Sequence, residues 1–141
     1  MNATNNQKAV ELFNKLADSY QERFFSVEAY QEPLLLFLDQ LKADATVLDI
    51  ACGPGNISHF LLEHKPGLKL TGIDLAPNMI NLARRNNPNA VFQVQDALQI
   101  DTLDARFDAV VVGFLFPYLS MEQVTDFLKK VYQLMNPEGI L

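Results

Sequence analysis

Val10, Phe13, Leu16, Ala17 and Tyr20 recur at steps of three and four among polar residues, which predicts an amphipathic helix near the start of the chain. A second helix is expected over Val27 to Leu41. Pro33 falls near its first turn, where a missing N–H does little harm, and Leu34-Leu35-Leu36-Phe37-Leu38 predicts burial on most sides. From Ala45 the pattern changes to short apolar runs alternating with amphipathic stretches. Thr46 to Ile50 reads as a buried strand that runs into Cys52-Gly53-Pro54-Gly55. Asn56 to His64 reads as a helix stopped by Pro66-Gly67, Leu68 to Ile73 as the second strand, and Pro77 to Arg85 as a helix stopped by Asn87-Pro88. Val91 to Val94 is the third strand, and Ala109 to Val112 with its flanks the fourth. Ser120 and Gln123 predict a capping box that opens a helix over Met121 to Met135. Asn136-Pro137-Glu138-Gly139 reads as a turn, and Ile140-Leu141 as the start of a further apolar run.

Strands alternating with helices predict an α/β fold: a doubly wound, Rossmann-like parallel sheet with right-handed crossovers. It should occupy residues 45–141, behind a helical cap over residues 1–44. Composition narrows the partners. Apolar residues make up 49% of the chain, enough for a packed core, and the net charge of −6 argues against a nucleic-acid backbone as the main partner. Arg84-Arg85 and Lys129-Lys130 are pairs rather than a basic stripe. The longest apolar run, Ala109 to Leu119, is eleven residues and contains Gly113 and Pro117; a membrane helix needs about 20. Met1 to Lys8 is polar and unlike a signal peptide, and the single Cys52 excludes an internal disulfide and a cysteine-cluster metal site. The expectation is a soluble, cytoplasmic protein with neither a membrane nor a nucleic-acid partner.

The chemistry concentrates where the first strand turns into a helix. Gly53 and Gly55 can bring the backbone close to a ligand, and the helix start behind them offers unpaired N–H groups to an anion. A lone G-x-G is equally an ordinary tight turn. Two further signs favour a site. Asp49 interrupts an apolar strand, where an unpartnered carboxylate is costly. Asp74 ends the second strand 21 residues after Gly53, the spacing at which dinucleotide folds place an acid on the ribose hydroxyls. Asp96 ends the third strand at the same edge of the sheet. Three carboxylates on consecutive strand ends point to a cationic or hydroxyl-rich ligand.

These segments resemble the class I S-adenosylmethionine-dependent methyltransferases of small molecules. Val47 to Gly55 matches the family's first motif, and Gly72-Ile73-Asp74-Leu75-Ala76-Pro77-Asn78-Met79-Ile80 the segment that holds the adenosine ribose. Gln95-Asp96-Ala97 resembles the segment flanking the adenine, Phe107 to Val112 the fourth strand, and Leu134 to Leu141 the entry to the fifth. The resemblance implies S-adenosylmethionine as cofactor and a small-molecule methyl acceptor. It places Gly53 and Gly55 at the methionine portion, Asp49 near its ammonium group, and Asp74 on the ribose hydroxyls. Leu75 and Met79 would pack beside the adenine, with Asp96 and Ala97 at its exocyclic amine. The backbone of Gly113 and Phe114 would lie near the sulfonium, and Tyr20 would cover the carboxylate end.

The departures from the family pattern also carry information. Ser58 stands where a dinucleotide fingerprint has its third glycine, which weakens the alternative of a nicotinamide-dependent oxidoreductase. Ala76 removes the side-chain cap usual before the second crossover helix. Leu115-Phe116-Pro117-Tyr118 lacks the leading polar residue of base-methylating enzymes, which disfavours nucleic-acid bases as acceptors. The complete family fold has further strands, so the resemblance implies a sheet truncated as its fifth strand begins. A truncated sheet would leave the fourth-strand edge, Ala109 to Val112, bare, and predicts either a homodimer across it or cover by a rearranged segment such as the N-terminal helices. It would also make methyl transfer slow, and allows a second alternative: a non-catalytic domain that binds the cofactor or a partner.

No residue stands out as a general base. Cys52 has no neighbouring histidine in sequence and reads as a small packed residue; His59 and His64, five apart, do not share a helix face as metal ligands would. Glu122 and Asp126 read as a solvated face. Phe114 reads as pocket lining, while Phe116 and Tyr118 fit pocket or core equally.

Overall fold

Thr46–Ile50 (β1) forms the centre of a five-stranded parallel sheet ordered β3-β2-β1-β4-β5, with Lys69–Asp74 as β2, Val91–Val94 as β3, Phe107–Val112 as β4 and Met135–Ile140 as β5. The computed structural model describes residues 3–24 and 26–141, and the side chains of 7–17 and 26–141. The helices are α1 (Ala3–Phe24), α2 (Gln31–Asp39), α3 (Asn56–His64), α4 (Pro77–Asn86) and α5 (Met121–Leu134), with 3-10 turns at Glu28–Tyr30, Ala97–Thr102 and Phe116–Tyr118.

The pleat of the strands divides the core into two layers. Val47, Leu70, Phe92 and Ala109 pack with Leu34 and Leu38 of α2, Phe60 and Leu61 of α3 and Ile80 of α4 on one face. Leu48, Ile50, Ile73 and Val110 pack with Phe127, Val131 and Leu134 of α5 on the other. A right-handed crossover puts its helix on the face set by the direction of travel across the sheet. Travel runs outward from β1 to β3, then reverses to reach β4, so α5 lands opposite α3 and α4. The switch in strand order therefore falls between β1 and β4, from whose carboxyl ends the chain leaves toward opposite faces of the sheet.

The two N-terminal helices play different parts. Helix α2 belongs to the sheet's core, whereas α1 lies on α4, where Val10, Phe13 and Ala17 meet Ala76, Met79 and Leu82.

The fourth-strand edge is covered, which corrects the expectation of a bare one. Met135–Ile140 is a strand rather than a turn followed by an apolar run, and it pairs with β4 at Phe107↔Met135 and Ala109↔Ile140, with an irregularity between. Pro137 and Gly139 suggested a turn, and part of that signal is real: Glu138 has φ of 65° and bulges the strand. The irregular pairing with β4 accommodates both features. The cover comes from the end of the chain and not from the N-terminal helices. The premise for a homodimer across β4 is thereby removed.

Candidate functional site

Strands β1 and β4 both leave the sheet through a non-glycine residue in the left-handed region, Ala51 at φ 57° and Phe114 at φ 58°. Such residues cost of order 1–3 kcal/mol each and persist only where the surrounding fold holds them. Here two flank the switch in strand order, the place where open α/β sheets bind ligands. A cavity of about 240 Å³ opens between them, walled by the carboxyl ends of β1, β2 and β4, the segment after β3, and α1.

Gly53 and Gly55 have positive φ, 54° and 80°, but do different work. A Cβ on Gly53 would meet nothing within 4 Å, and the residue lines the cavity. A Cβ on Gly55 would sit 2.6 Å from Nδ2 of Asn87 and 3.2 Å from Cα of Ala83. Gly55 is thus the point where α3 starts hard against α4, behind the cavity wall. The end of α4 latches the same loop: Asn86 Nδ2 donates to the Pro54 carbonyl at 2.9 Å and Asn87 Nδ2 to the Gly55 carbonyl at 3.0 Å.

Asp74 fixes the loop from the other side. Its Oδ2 accepts from the Gly53 N–H at 2.9 Å, and its Oδ1 from the Ala76 N–H at 2.9 Å. Burial raises its pKa above the ordinary value, and the N–H groups of Ala76, Gly53 and Leu75 oppose that rise. The two oxygens together have about four acceptor positions, so acceptor capacity remains for a ligand. Asp49 lies beneath the cavity floor and is fully buried. Its Oδ2 accepts from the Ser58 hydroxyl at 2.6 Å, while Oδ1 has no hydrogen-bond partner. Burial pushes its pKa up to about 7; the Ser58 hydrogen bond pulls it back and the neighbouring Asp74 adds to the rise. Burial, followed by the charges of Asp49 and Asp74, also raises the Cys52 thiol well above its usual range, so a thiolate nucleophile is disfavoured.

Asp96 caps the 3-10 turn after β3, accepting from the Leu98 N–H at 2.9 Å, and lines the cavity with Ala97. Leu75 and buried Met79 line it from the β2 side, Gly113 and Phe114 from the β4 side. Tyr20 falls on α1, and its side chain lies outside the described residues. The structure therefore gathers Gly53, Asp74, Leu75, Met79, Asp96, Ala97, Gly113 and Phe114 around one cavity, while Asp49 and Gly55 do not line it.

Sequence reasoning passed over Ala9, Val10 and Phe13 of α1 and Asn56 at the start of α3, all of which line the cavity. The apolar stripe of α1 was visible, but periodicity does not separate a cavity wall from a core. Asn56 gave no signal of its own; its Nδ2 donates to the Tyr30 hydroxyl at 2.9 Å, a contact made across 26 residues. The histidines lie elsewhere. His59 is 3.8 Å from Glu63, and His64 packs on Phe60. Asp126 pairs with Lys130 at 3.2 Å. No helix among the described residues is long and apolar enough to cross a membrane.

A family profile described as "Methyltransferase domain" matches residues 47–139. The demethylmenaquinone methyltransferase of Thermus thermophilus is 34% identical over 104 residues, which cover 71% of this chain and 46% of that protein. The malonyl-[acyl-carrier protein] O-methyltransferase of Bacillus cytotoxicus is 31% identical over 134 residues, or 92% of this chain and 46% of that protein. The solved DhpI-SAM-HEP complex is similar over 99% of this chain and 65% of its own, with a TM-score of 0.79 at 23% identity, a likeness of fold. The chain spans about half, or less, of the length of the curated relatives it matches.

Proposed function

The chain belongs to the methyltransferase domain family, and from that premise we propose that it binds S-adenosylmethionine in the β1–β4 crevice for methyl transfer to a small-molecule acceptor. One observation carries the reading: Gly53 turns an open face to the cavity while its N–H is held by Asp74, with Asp96 on the next strand end. The residues present fit the cofactor. The Oδ1 of Asp49, buried without a partner, suits a region that receives an ammonium group, and Asp74 offers its remaining acceptor capacity to ribose hydroxyls.

In this reading Asp74 orients the ribose and Asp96 accepts from the adenine amine, with Leu75 and Met79 packed against the base. Ala97 closes that end of the cavity. The backbone of Gly113 and Phe114 flanks the reacting centre, Gly55 sets the start of α3, and Tyr20 covers the carboxylate end. When bound, S-adenosylmethionine supplies a sulfonium methyl that an acceptor nucleophile takes in line, breaking the sulfur–carbon bond. Val10 and Phe13 of α1 keep water from that centre. The protein's contribution is orientation and exclusion, and orientation alone lowers barriers substantially. Its place of action is proposed to be the cytoplasm, where the lone buried Cys52 stays reduced.

The nicotinamide alternative draws no support from this arrangement, since Ser58 is buried and committed to Asp49. Calorimetric titration separates the two. S-adenosylhomocysteine should bind saturably and NAD should give no measurable heat; tighter binding of NAD would overturn the proposal.

A further inference from the structure

Phe114, Phe116 and Tyr118 alternate along the segment after β4, and each is braced edge-on by a ring from a different element. Phe114 meets Tyr30 at a centroid distance of 5.6 Å and an interplanar angle of 72°. Phe116 meets Phe127 of α5 at 6.0 Å and 77°, and Tyr118 meets Phe13 of α1 at 5.8 Å and 77°. Rings held in this way lose little freedom when a ligand arrives, which favours binding.

Phe114 is the unusual member. It combines a left-handed backbone with 66% exposure, so it is both strained and apolar in water. Neither property helps folding, and strained residues of this kind gather at ligand sites. Phe114 and Tyr118 line the cavity together with Leu115 and Leu119, whereas Asp74 and Asp96 stand at the β2 and β3 ends. The cavity thus has a carboxylate half and an aromatic half.

We propose that Phe114 and Tyr118 form a braced aromatic wall that receives the methyl acceptor, and that the acceptor presents a planar aromatic ring to it. This rests on the reading of the carboxylate half as the cofactor's place. Ring-on-ring contact adds attraction beyond area burial, and a flexible acyl chain on the same wall gains only the area.

The test uses 2-naphthoate and decanoate, which share a carboxylate and differ in shape, titrated into the protein with and without S-adenosylhomocysteine. Naphthoate should bind about fivefold more tightly than decanoate, from a ring-contact gain of the usual size. Phe114→Leu and Tyr118→Leu keep apolar bulk and remove one ring each, and each should erase most of that preference. Far-UV circular dichroism checks that each variant is folded, and either folded variant suffices. Equal affinity for the two probes, no binding of naphthoate, or a preference that survives either substitution in a folded variant would overturn the wall. A separate titration of S-adenosylhomocysteine into the unsubstituted protein reads the cofactor assignment, so the two proposals fail independently.

Discussion

Asp49 shows how much one carboxylate can conceal in a sequence. Its position in an apolar strand announced a special role, yet the same five residues could have put it on the cavity wall or beneath it. Only the pairing of β1 with its neighbours, and Ser58 folding back from α3, set it under the floor. A carboxyl whose pKa rises to about 7 on folding makes stability fall with pH. Below an unfolded value of about 4 it is neutral in both states and costs nothing. As pH rises to about 7, ionisation is increasingly resisted in the folded state only, and above that the penalty is complete. Asp49→Asn keeps an acceptor for Ser58 and cannot ionise. It should be more stable than the parent near pH 8 by a few kcal/mol at most, with the gap nearly closed near pH 4. Urea denaturation at the two pH values checks this, and an equal gap at both would refute it. The glycines give a similar lesson. Both looked like ligand-facing residues, but Gly55 is defined by Asn87 and Ala83, which lie about 30 residues away in sequence and gave no sign of a contact with it.

Among the elements, helix α4 starts at Ala76 without a side chain of its own to cap it. The missing acceptor is supplied from another helix. Asn14 Oδ1 accepts from the Asn78 N–H at 3.1 Å, and Asn78 Nδ2 donates to the Asn14 carbonyl at 2.9 Å. This pair fastens α1 over the start of α4, next to the cavity residues Val10 and Phe13. Asn14→Ala should therefore cost about 1 kcal/mol in chemical denaturation, as for a lost N-cap. Asn14→Asp should restore most of it, since a carboxylate also suits a helix N-terminus. Equal losses in both variants would mean that the contact is not a cap. Local patterns located α3, α4, β3 and α5 to within a residue or so, because caps and breakers (Ser120 with Gln123, Asn87-Pro88) lie next to the ends they define. The first residues of strand β5 were read as a turn for the opposite reason. Its Pro-Glu-Gly core has the chemistry of a turn, and its pairing depends on distant partners: Asn136 Nδ2 donates to Asp108 Oδ1 at 2.9 Å, while Asp108 Oδ2 accepts from the Thr46 N–H at 2.9 Å.

Across the fold as a whole, strand order decides where the cavity lies. Reversal of travel between β1 and β4 opens the crevice, and parallel pairing brings Gly53, Asp74, Asp96 and Phe114 to one edge of the sheet. The fold class and this edge were legible because alternation of strand and helix implies a parallel sheet, and a parallel sheet gathers its carboxyl ends. The part taken by α1 was not legible, because an amphipathic helix can cover a core or a cavity with the same stripe. Among the described residues, the strands at either end of the sheet are short or irregular: β3 has four residues, and β5 carries Pro137 and the Glu138 bulge. The proposed cofactor site depends on Asp74 serving a ligand as well as the Gly53 loop. The most direct measurement is calorimetric titration of S-adenosylhomocysteine into the parent and Asp74→Ala, with melting curves to show that both are folded. Removing charge-assisted contacts to the ribose should weaken binding at least about tenfold, for a loss of roughly 1.5–3 kcal/mol. Unchanged affinity in a folded Asp74→Ala protein would contradict the placement of the cofactor in this crevice.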